Sequence, residues 1–263
     1  MKTKLSILGF VTGLASASLG IGGGTIVIPG LVFIAGHKVR DVLGIALATA
    51  VPTALTGIAA HFVINAANIK LAMALFIVMG SVPGSRLGVW LVTKMNNKIL
   101  SRLFAGLLVF AGLRLTGVIN MPTESFSSLS LSAYPFLIIL GLLTGFTSAL
   151  FGVGGGIIMV PALSLFFGLS MHQAIATSLT AVLPTALAGS FFHAKRRSVS
   201  GPEFKERIYL LTFLIPLALI GAVLGAIIAN SLPQEPLKII FGVFMTLSAV
   251  KIFFSSKSKI NAG

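Results

Sequence analysis

Two short glycine-rich segments contain the residues whose types and spacing best suit the binding of a small ligand. One reads GIGGG and begins at Gly20, and the other reads GVGGG and begins at Gly152. Glycine weakens a helix interior and lets a ligand approach the backbone closely. A helix that restarts after each segment presents unpaired N–H groups at its positive dipole end, which favours an anion. We therefore predict that the two segments form an anion site.

The predicted substrate-binding set combines the two glycine triplets with hydroxyl side chains that could donate hydrogen bonds. The set is Ser16, Gly22, Gly23, Gly24, Thr25, Thr53, Ser148, Gly154, Gly155, Gly156, Thr180 and Thr185, and Ser178 offers a further hydroxyl. Pro52 and Pro184 precede two of these threonines, and each proline either lines a cavity or kinks its helix. Close packing of helices through small residues is the alternative interpretation of the glycines.

Arg86, His61 and His193 form a second set of candidates, which could gate a pathway or attract an anion. Each residue also has a structural interpretation. A long arginine side chain can extend to the membrane interface, and a histidine can cap a helix end there. The four histidines of the chain suggest no metal cluster.

Enzymatic chemistry finds little support in these residues. A nucleophile needs a base beside it or a metal, and the conceivable pairs are Ser16 with His61 and Ser148 with His193. Forty-five positions separate the members of each pair, and nothing in the sequence brings them together. No catalytic residue, metal or cofactor is predicted. The absence of cysteine excludes disulfides and thiol catalysis.

The composition indicates that most of the chain lies in a membrane. Hydrophobic residues make up 56% of the 263 residues, charged residues only 9%, and the mean hydropathy is +1.05. Soluble domains carry about 25% charged residues, so this chain lacks the polar surface that water requires. The net charge of +14 does not indicate nucleic-acid binding, because the basic residues lie in short loops between apolar runs. The lipid bilayer is the predicted partner.

An internal repeat organises the sequence. Residues 13–61 align without a gap with residues 145–193, at an offset of 132, and 18 of the 49 positions are identical. The identities include glycines, prolines and a histidine, which apolar composition alone would not align. Farther along the chain the offset becomes 137. We therefore predict an N-terminal repeat over 1–120 and a C-terminal repeat over 134–263, joined by an extracytoplasmic linker over 121–133.

Apolar runs predict the helices of each half. They span about 5–19, 25–36, 42–64, 71–93 and 100–117 in the first half, and about 134–151, 157–167, 172–194, 208–230 and 237–254 in the second. A spanning helix needs about 20 apolar residues, so the first two runs of each half are short. We predict an all-α polytopic membrane protein with two inverted-topology repeats, each a broken or re-entrant helix pair plus three transmembrane helices. If the short helices instead span the membrane fully, the chain crosses it ten times and both termini still lie on the same side.

Loop charge predicts the orientation, since lysine and arginine favour the cytoplasmic side. Fourteen basic loop residues fall on one side of the predicted topology. Equivalent loops have opposite bias: 94–102 is basic whereas 231–236 is not, and 195–207 is basic whereas 65–70 carries only Lys70. The halves are therefore predicted to be inverted, with both termini in the cytoplasm and the protein in the cytoplasmic (inner) membrane.

With these motifs the chain resembles the TauE/SafE family of membrane proteins, the sulfite exporters. The resemblance covers nearly the whole chain and rests on the glycine segments 20–29 and 152–161, the runs ALATAVPTALTG and AIATSLTAVLPTALAG, and the motifs PGSRLG and LIGAVLG. It implies a bacterial or archaeal cytoplasmic-membrane permease for small sulfur-containing anions such as sulfite, sulfoacetate or related sulfonates. The family's binding residues map here onto the glycine segments and the neighbouring hydroxyls.

The predicted function is a secondary transporter that moves such an anion by alternating access. An anion channel that uses the same half-helix N-termini is the alternative. The expected partners are the anion and the bilayer, without nucleic acid, and a homo-oligomer is left open. All five carboxylates fall in predicted loops, so none is available for a proton relay within the membrane. The exact substrate, the direction of transport and the coupling ion are left open by the sequence.

Overall fold

The computed structural model describes residues 2–36, 39–91, 133–196 and 202–258, together with seven positions between 106 and 118. Within these residues the chain is almost entirely helical, and no strand occurs among them. The helices are α1 (Lys2–Leu19), α2 (Gly24–Ala35), α3 (Val39–Asn65), α4 (Leu71–Leu91), α5 (Ala133–Phe151), α6 (Gly156–Phe166), α7 (Met171–Arg196), α8 (Pro202–Ser231) and α9 (Gln234–Ser258). A short 3-10 helix, Ala66–Asn68, follows α3.

Five helices in the described part of the chain are long and apolar enough to cross a membrane. The spans are Val42–Asn68, Leu71–Leu91, Tyr134–Phe151, Met171–Lys195 and Lys205–Ser231. Large apolar side chains such as Phe33, Val63 and Leu247 are exposed at the surface, where lipid suits them better than water. The predicted fold class, an all-α polytopic membrane protein, is confirmed.

Each half begins with a long helix that is followed by a short one. α1 has 18 residues and α5 has 19, whereas α2 has 12 and α6 has 11. At about 1.5 Å per residue, the long helices rise about 27–28 Å and the short ones about 16–18 Å. The sequence predicts that both helices of each pair are short. This is wrong for the first helix of each pair, whose length nearly matches the roughly 30 Å thickness of the hydrocarbon.

Several other helices begin before the apolar runs that predict them. α3, α8 and α9 start three to six residues earlier, in segments that contain polar or charged residues. A helix can continue in this way because its ends lie beyond the hydrocarbon, where polar side chains are tolerated. The predicted loop 94–102 lies outside the described residues, as does the linker 121–133 except for residue 133, and only six residues of run 100–117 are described.

The first helix of one half packs closely against a helix of the other half. Gly9 and Gly13 of α1 lie so near α8 that a Cβ atom on either would overlap a backbone carbonyl, that of Leu214 or Ala218. Small residues let two backbones approach in this manner, and van der Waals contact then stabilises the pair within lipid. α1 and α8 are thus joined along a glycine seam.

The same type of seam joins α4 and α5, at equivalent positions of the repeat. Gly141 and Gly145 of α5 lie against the carbonyls of Ile77 and Ser81 in α4. The converse contact, of a glycine in α4 or α8 with a carbonyl of α5 or α1, is made by Gly80, Gly84, Gly88, Gly221 and Gly225. The fourth described helix of each half therefore packs on the first helix of the other half.

Replacement of Gly13 by alanine should destabilise the protein, because the added methyl group would overlap the carbonyl of Ala218. Overpacking of this kind costs about 1–3 kcal/mol. Gly44→Ala is the matched control, since Gly44 also lies within a helix and its added Cβ would meet only the His193 Cβ, at 3.5 Å. Thermal melting in detergent measures both variants. An unchanged melting temperature for Gly13→Ala would contradict the seam.

Candidate functional site

The two glycine segments interrupt their helices as the sequence predicts. Three residues of the first segment have positive φ angles of 69°, 74° and 73°, namely Gly20, Gly22 and Gly23, and Gly152, Gly154 and Gly155 have 65°, 80° and 83°. This left-handed region is open to glycine but strained for other residues. The sequence therefore imposes a break between α1 and α2 and another between α5 and α6.

The two breaks are buried and contact each other. A Cβ atom on Gly22 would lie 3.3 Å from the Cα atom of Gly154, and the converse distance is the same. Side chains on Gly24 and Gly156 would overlap the carbonyl groups of Gly152 and Gly20, respectively. The close packing that was the alternative interpretation of the glycines is therefore present. That the same residues also bind a ligand stays a prediction.

Hydroxyl groups without partners surround the start of α2. Gly23 is the N-cap residue of α2, and a Cβ atom there would lie 2.6 Å from the Thr12 Cγ2 and 3.6 Å from the Ser16 Cβ. The hydroxyl oxygens of Thr12, Ser16 and Thr25 are buried and have no hydrogen-bond partner among the described residues. We call these three side chains the first hydroxyl cluster. An unsatisfied buried polar group costs about 1–3 kcal/mol, so such a cluster calls for an explanation.

The backbone of the same turn leaves one amide free. Ile26 and Val27 both donate their N–H groups to the carbonyl of Gly23, at 3.0 and 3.2 Å, and Gly24 donates to Gly22 at 2.9 Å. We find no acceptor in the described residues for the N–H of Thr25, as expected for the first turn of a helix. The free amide and the hydroxyl of Thr25 therefore lie in the first turn of α2, at its positive end, and the side chains of Thr12 and Ser16 lie beside the cap of that turn.

The second break has fewer free hydroxyls, although the N–H of Ile157, like that of Thr25, has no acceptor among the described residues. Gly155, the N-cap residue of α6, lies against Thr144, whose hydroxyl donates to the carbonyl of Gly141 at 2.9 Å. The Ser148 hydroxyl is buried and lacks a partner among the described residues. Ile157 occupies the position equivalent to Thr25 and has no hydroxyl. The two caps thus lie against different helices, each from its own half.

The remaining predicted threonines are bonded within their own helices. Thr53, Thr180 and Thr185 each donate to a backbone carbonyl one turn earlier, at 2.7–3.0 Å. Thr185 also lies 2.6 Å from the Ser81 hydroxyl, which joins α7 to α4. None of these bonds reaches a glycine break. The hydroxyl of α7 that does so is Ser178, which donates to the carbonyl of Gly20 at 3.0 Å.

His61 is buried and joins three helices. Its Nε2 lies 3.0 Å from the carbonyl of Ala17, and its Nδ1 lies 2.8 Å from the Asn230 Nδ2. The Asn230 Nδ2 also donates to the carbonyl of Ala226 at 2.8 Å, which identifies it as the amide nitrogen. Nδ1 of the histidine therefore accepts a hydrogen bond, and Nε2 donates one to Ala17. His61 thus holds α1 just before the first break as a neutral imidazole.

His193 makes the equivalent contact in the second half. Its Nε2 lies 3.0 Å from the carbonyl of Ala149. Ala17 and Ala149 occupy matching positions, each three residues before a break. Both histidines therefore fix the end of a long helix, which agrees with a structural interpretation. The predicted gating role stays a prediction.

Arg86 lies on the outer face of α4. It is exposed and lines a shallow depression with Pro83, Leu87 and Trp90. The opposite face of the helix is buried and carries Gly84, which packs on α5. Arg86 is therefore not brought to the breaks.

Sequence reasoning missed two residues of this region, Thr12 and Asn230. Thr12 lies one turn before Ser16 on the same face of α1, and the pair recurs as Thr144 and Ser148 at the offset of 132. This i, i+4 spacing was a usable signal. Ser178 was noted only as a further donor, and Asn230 gave no signal, because its contact with His61 joins positions 169 residues apart.

The fold and the paired breaks define a multi-pass membrane protein built around two interrupted helices. The sequence model of the family described as "Sulfite exporter TauE/SafE" matches residues 2–115 and 137–262. The chain belongs to this family.

Curated relatives of nearly the same length include three named as probable membrane transporter proteins. YunE from Bacillus subtilis (strain 168) is 26% identical over 272 residues, which cover 95% of this chain and 96% of the relative. YdhB from the same organism is 25% identical and covers 90% of this chain and 93% of its own length. MJ0441 from Methanocaldococcus jannaschii is 28% identical, with coverages of 92% and 94%. No solved structure matches the chain significantly.

Replacement of His61 by leucine should lower the stability of the folded protein by about 1–3 kcal/mol, because it leaves the Ala17 carbonyl without a donor inside the protein. His61→Gln keeps an N–H donor on a side chain of similar reach and should recover part of the loss. Thermal melting of the purified variants measures the difference. Equal melting temperatures for wild type and His61→Leu would contradict the structural role of the imidazole.

Proposed function

We propose that the chain is a secondary transporter that moves a small sulfur-containing anion across the cytoplasmic membrane by alternating access, with the substrate bound at the glycine breaks. The observation that carries the proposal is the group of buried, unpartnered hydroxyls at the start of α2. Discontinuous helices with free N-termini inside the membrane are typical of substrate sites in secondary transporters. An anion there would receive the hydrogen bonds that the protein itself leaves unused.

The chemistry of the buried groups supports an oxyanion as substrate. The buried polar side chains of the described residues are hydroxyls, apart from His61, and they include no carboxylate. Hydroxyl and amide N–H groups donate to oxygen acceptors, and the helix dipole adds a partial positive charge. The family description names sulfite, an anion whose oxygens accept hydrogen bonds. Sulfite, sulfoacetate and related sulfonates are therefore the proposed substrate class.

The seams support an inverted arrangement of the two halves. The contacts of Gly9 and Gly13 in α1 recur at Gly141 and Gly145 in α5, and those of Gly84 and Gly88 in α4 recur at Gly221 and Gly225 in α8, which is the pattern of a two-fold relation. The opposite charge of equivalent loops favours an axis in the membrane plane. Both termini then lie in the cytoplasm, and His61 and His193, each bonded to a long helix just before its break, are the proposed gates on the two sides of the crossing. The exposed position of Arg86 favours contact with the interface rather than with substrate.

Burial of both breaks favours a carrier over a channel. Residues 20–24 and 152–156 are all buried, and the two segments lie against each other. A channel would need a continuous path past this contact, whereas a carrier exposes its site to one side at a time. The transporter is therefore the preferred proposal. The dependence of flux on substrate concentration tests the channel, because a carrier saturates and a channel does not.

Replacement of Gly23 by alanine should reduce saturable sulfite counterflow in proteoliposomes about tenfold or more, because the added methyl group would crowd Thr12 at the proposed site. Gly36→Ala is the matched control. Gly36 has a similar φ of 69° but has nothing within 4 Å of an added Cβ, so it imposes equal backbone strain away from the site. Equal transport by Gly23→Ala and Gly36→Ala would contradict the proposed location of the substrate site. Flux that never saturates with substrate concentration would favour a channel.

Topology reporters test the orientation. A reporter inserted after Ser198 should report the cytoplasm, and one inserted near Ser127 should report the outside, because the basic loop 195–207 favours the cytoplasmic side. The measurement is the activity of a compartment-specific fusion enzyme in whole cells. Identical locations for the two reporters would end the proposed topology.

A further inference from the structure

The two breaks are chemically unequal although their backbones are alike. The first break has three buried hydroxyls without partners, from Thr12, Ser16 and Thr25, whereas the second has one, from Ser148, among the described residues. Thr12, Ser16 and Ser148 have no exposed surface at all. Because the backbones are equivalent and the side chains are not, only the first break has a full set of free hydroxyl donors.

The inequality arises in two ways. Ile157 replaces Thr25 in the second half, which removes a hydroxyl and leaves an apolar side chain at the helix start. Thr144 keeps the hydroxyl of Thr12 but donates it to Gly141 in its own helix. The Thr12 hydroxyl makes no such bond, and the Thr12 side chain lies beside the cap of α2, with its Cγ2 methyl group toward Gly23. A threonine in a helix normally donates to a carbonyl three or four residues earlier. Because Thr12 does not, we infer that its hydroxyl donates to a bound ligand.

We propose that the first hydroxyl cluster and the Thr25 amide form the binding site for one monovalent oxyanion, a sulfonate or hydrogen sulfite, and that the second break holds no equivalent site. The proposal rests on the proposed function, since it assigns the substrate of that function to one of the two breaks and specifies its charge. It adds Thr12 as a binding residue.

The number and type of donors suit a group with three terminal oxygens. Three hydroxyls and one N–H group offer four hydrogen bonds, none of which is used within the described protein. A pyramidal sulfur group with three oxygens can accept all of them. Hydrogen bonds to a charged acceptor are stronger than those between neutral groups, which offsets the cost of leaving these donors unpaired in the empty protein.

The absence of a buried cation sets the preferred charge. Among the described buried side chains there is no lysine or arginine, so the positive end of α2 supplies the compensation, roughly half an elementary charge. Transfer of an ion from water costs more as its charge grows, and an uncompensated second charge is especially costly in a low-dielectric site. The site should therefore bind a monovalent anion in preference to a divalent one such as sulfate.

The test compares Thr12→Val with Thr144→Val in the full-length protein. Valine has nearly the shape of threonine, so each variant removes a hydroxyl without opening a cavity. Thr12→Val should raise the half-saturating concentration for sulfite counterflow about tenfold or more, whereas Thr144→Val should leave it within about twofold. Thr12→Ser, which keeps the hydroxyl, should restore affinity. Equal effects of Thr12→Val and Thr144→Val would overturn the proposal.

Stability separates a binding role from a structural one. Without anion, Thr12→Val should melt at the wild-type temperature or above it, because it removes an unsatisfied buried group. The rise in melting temperature that sulfite or methanesulfonate gives the wild type should be lost in the same variant. A lower melting temperature of Thr12→Val in the absence of anion would mean that the hydroxyl serves the fold, which would also overturn the proposal.

Competition tests the charge preference at constant pH. Methanesulfonate, which is monovalent, should inhibit sulfite counterflow by the wild type, and an equal concentration of sulfate should not. Equal inhibition by the two anions would overturn the preference for one charge. Absence of saturable flux of either sulfite or methanesulfonate would overturn the proposed function itself, whereas normal flux with equal effects at the two breaks would overturn this inference alone.

Discussion

The contact between the two glycine breaks is the constraint on which the rest of the structure depends. Six glycines with positive φ turn the chain twice inside the protein, and a side chain on Gly24 or Gly156 would collide with the opposite break. Backbone of this kind is tolerated at membrane depth only where protein surrounds it. The long helices, the seams and the histidine contacts all hold this crossing in place, and the crossing in turn brings two helix N-termini into the interior.

The seams have a consequence for movement between states. α1 is joined to α8, and α5 to α4, so each tightly packed pair contains one helix from each half. Glycine seams leave little freedom for sliding, because a carbonyl of one helix occupies the space of a missing side chain on the other. A rocking motion would therefore carry these mixed pairs as units and would change the contact between α3 and α7 or between the breaks. In the proposed alternating-access cycle, the moving bodies would then differ from the two halves of the sequence.

Local features of the fold could be predicted from the sequence, whereas contacts between distant residues could not. The breaks followed from glycine content at Gly22–Gly24 and Gly154–Gly156, because φ is a property of single residues. Apolar runs located the helices, but α8 began earlier than expected because polar residues continue a helix outside lipid. The pairing of α1 with α8, and of His61 with Asn230, depends on tertiary packing that no local pattern specifies. Thr12 was an avoidable omission, since its spacing from Ser16 recurs in the second half.

The central claim is that an anion binds at the interrupted helices, and the most direct measurement is the position of a bound selenium analogue. Hydrogen selenite has the shape and charge of hydrogen sulfite, and anomalous scattering locates selenium without reference to the surrounding density. We predict one selenium peak whose oxygens lie within hydrogen-bonding distance, about 2.5–3.2 Å, of the Thr12 and Ser16 hydroxyls and the Thr25 amide. Selenium bound elsewhere in the protein, with the first hydroxyl cluster unoccupied at saturating selenite, would contradict the account.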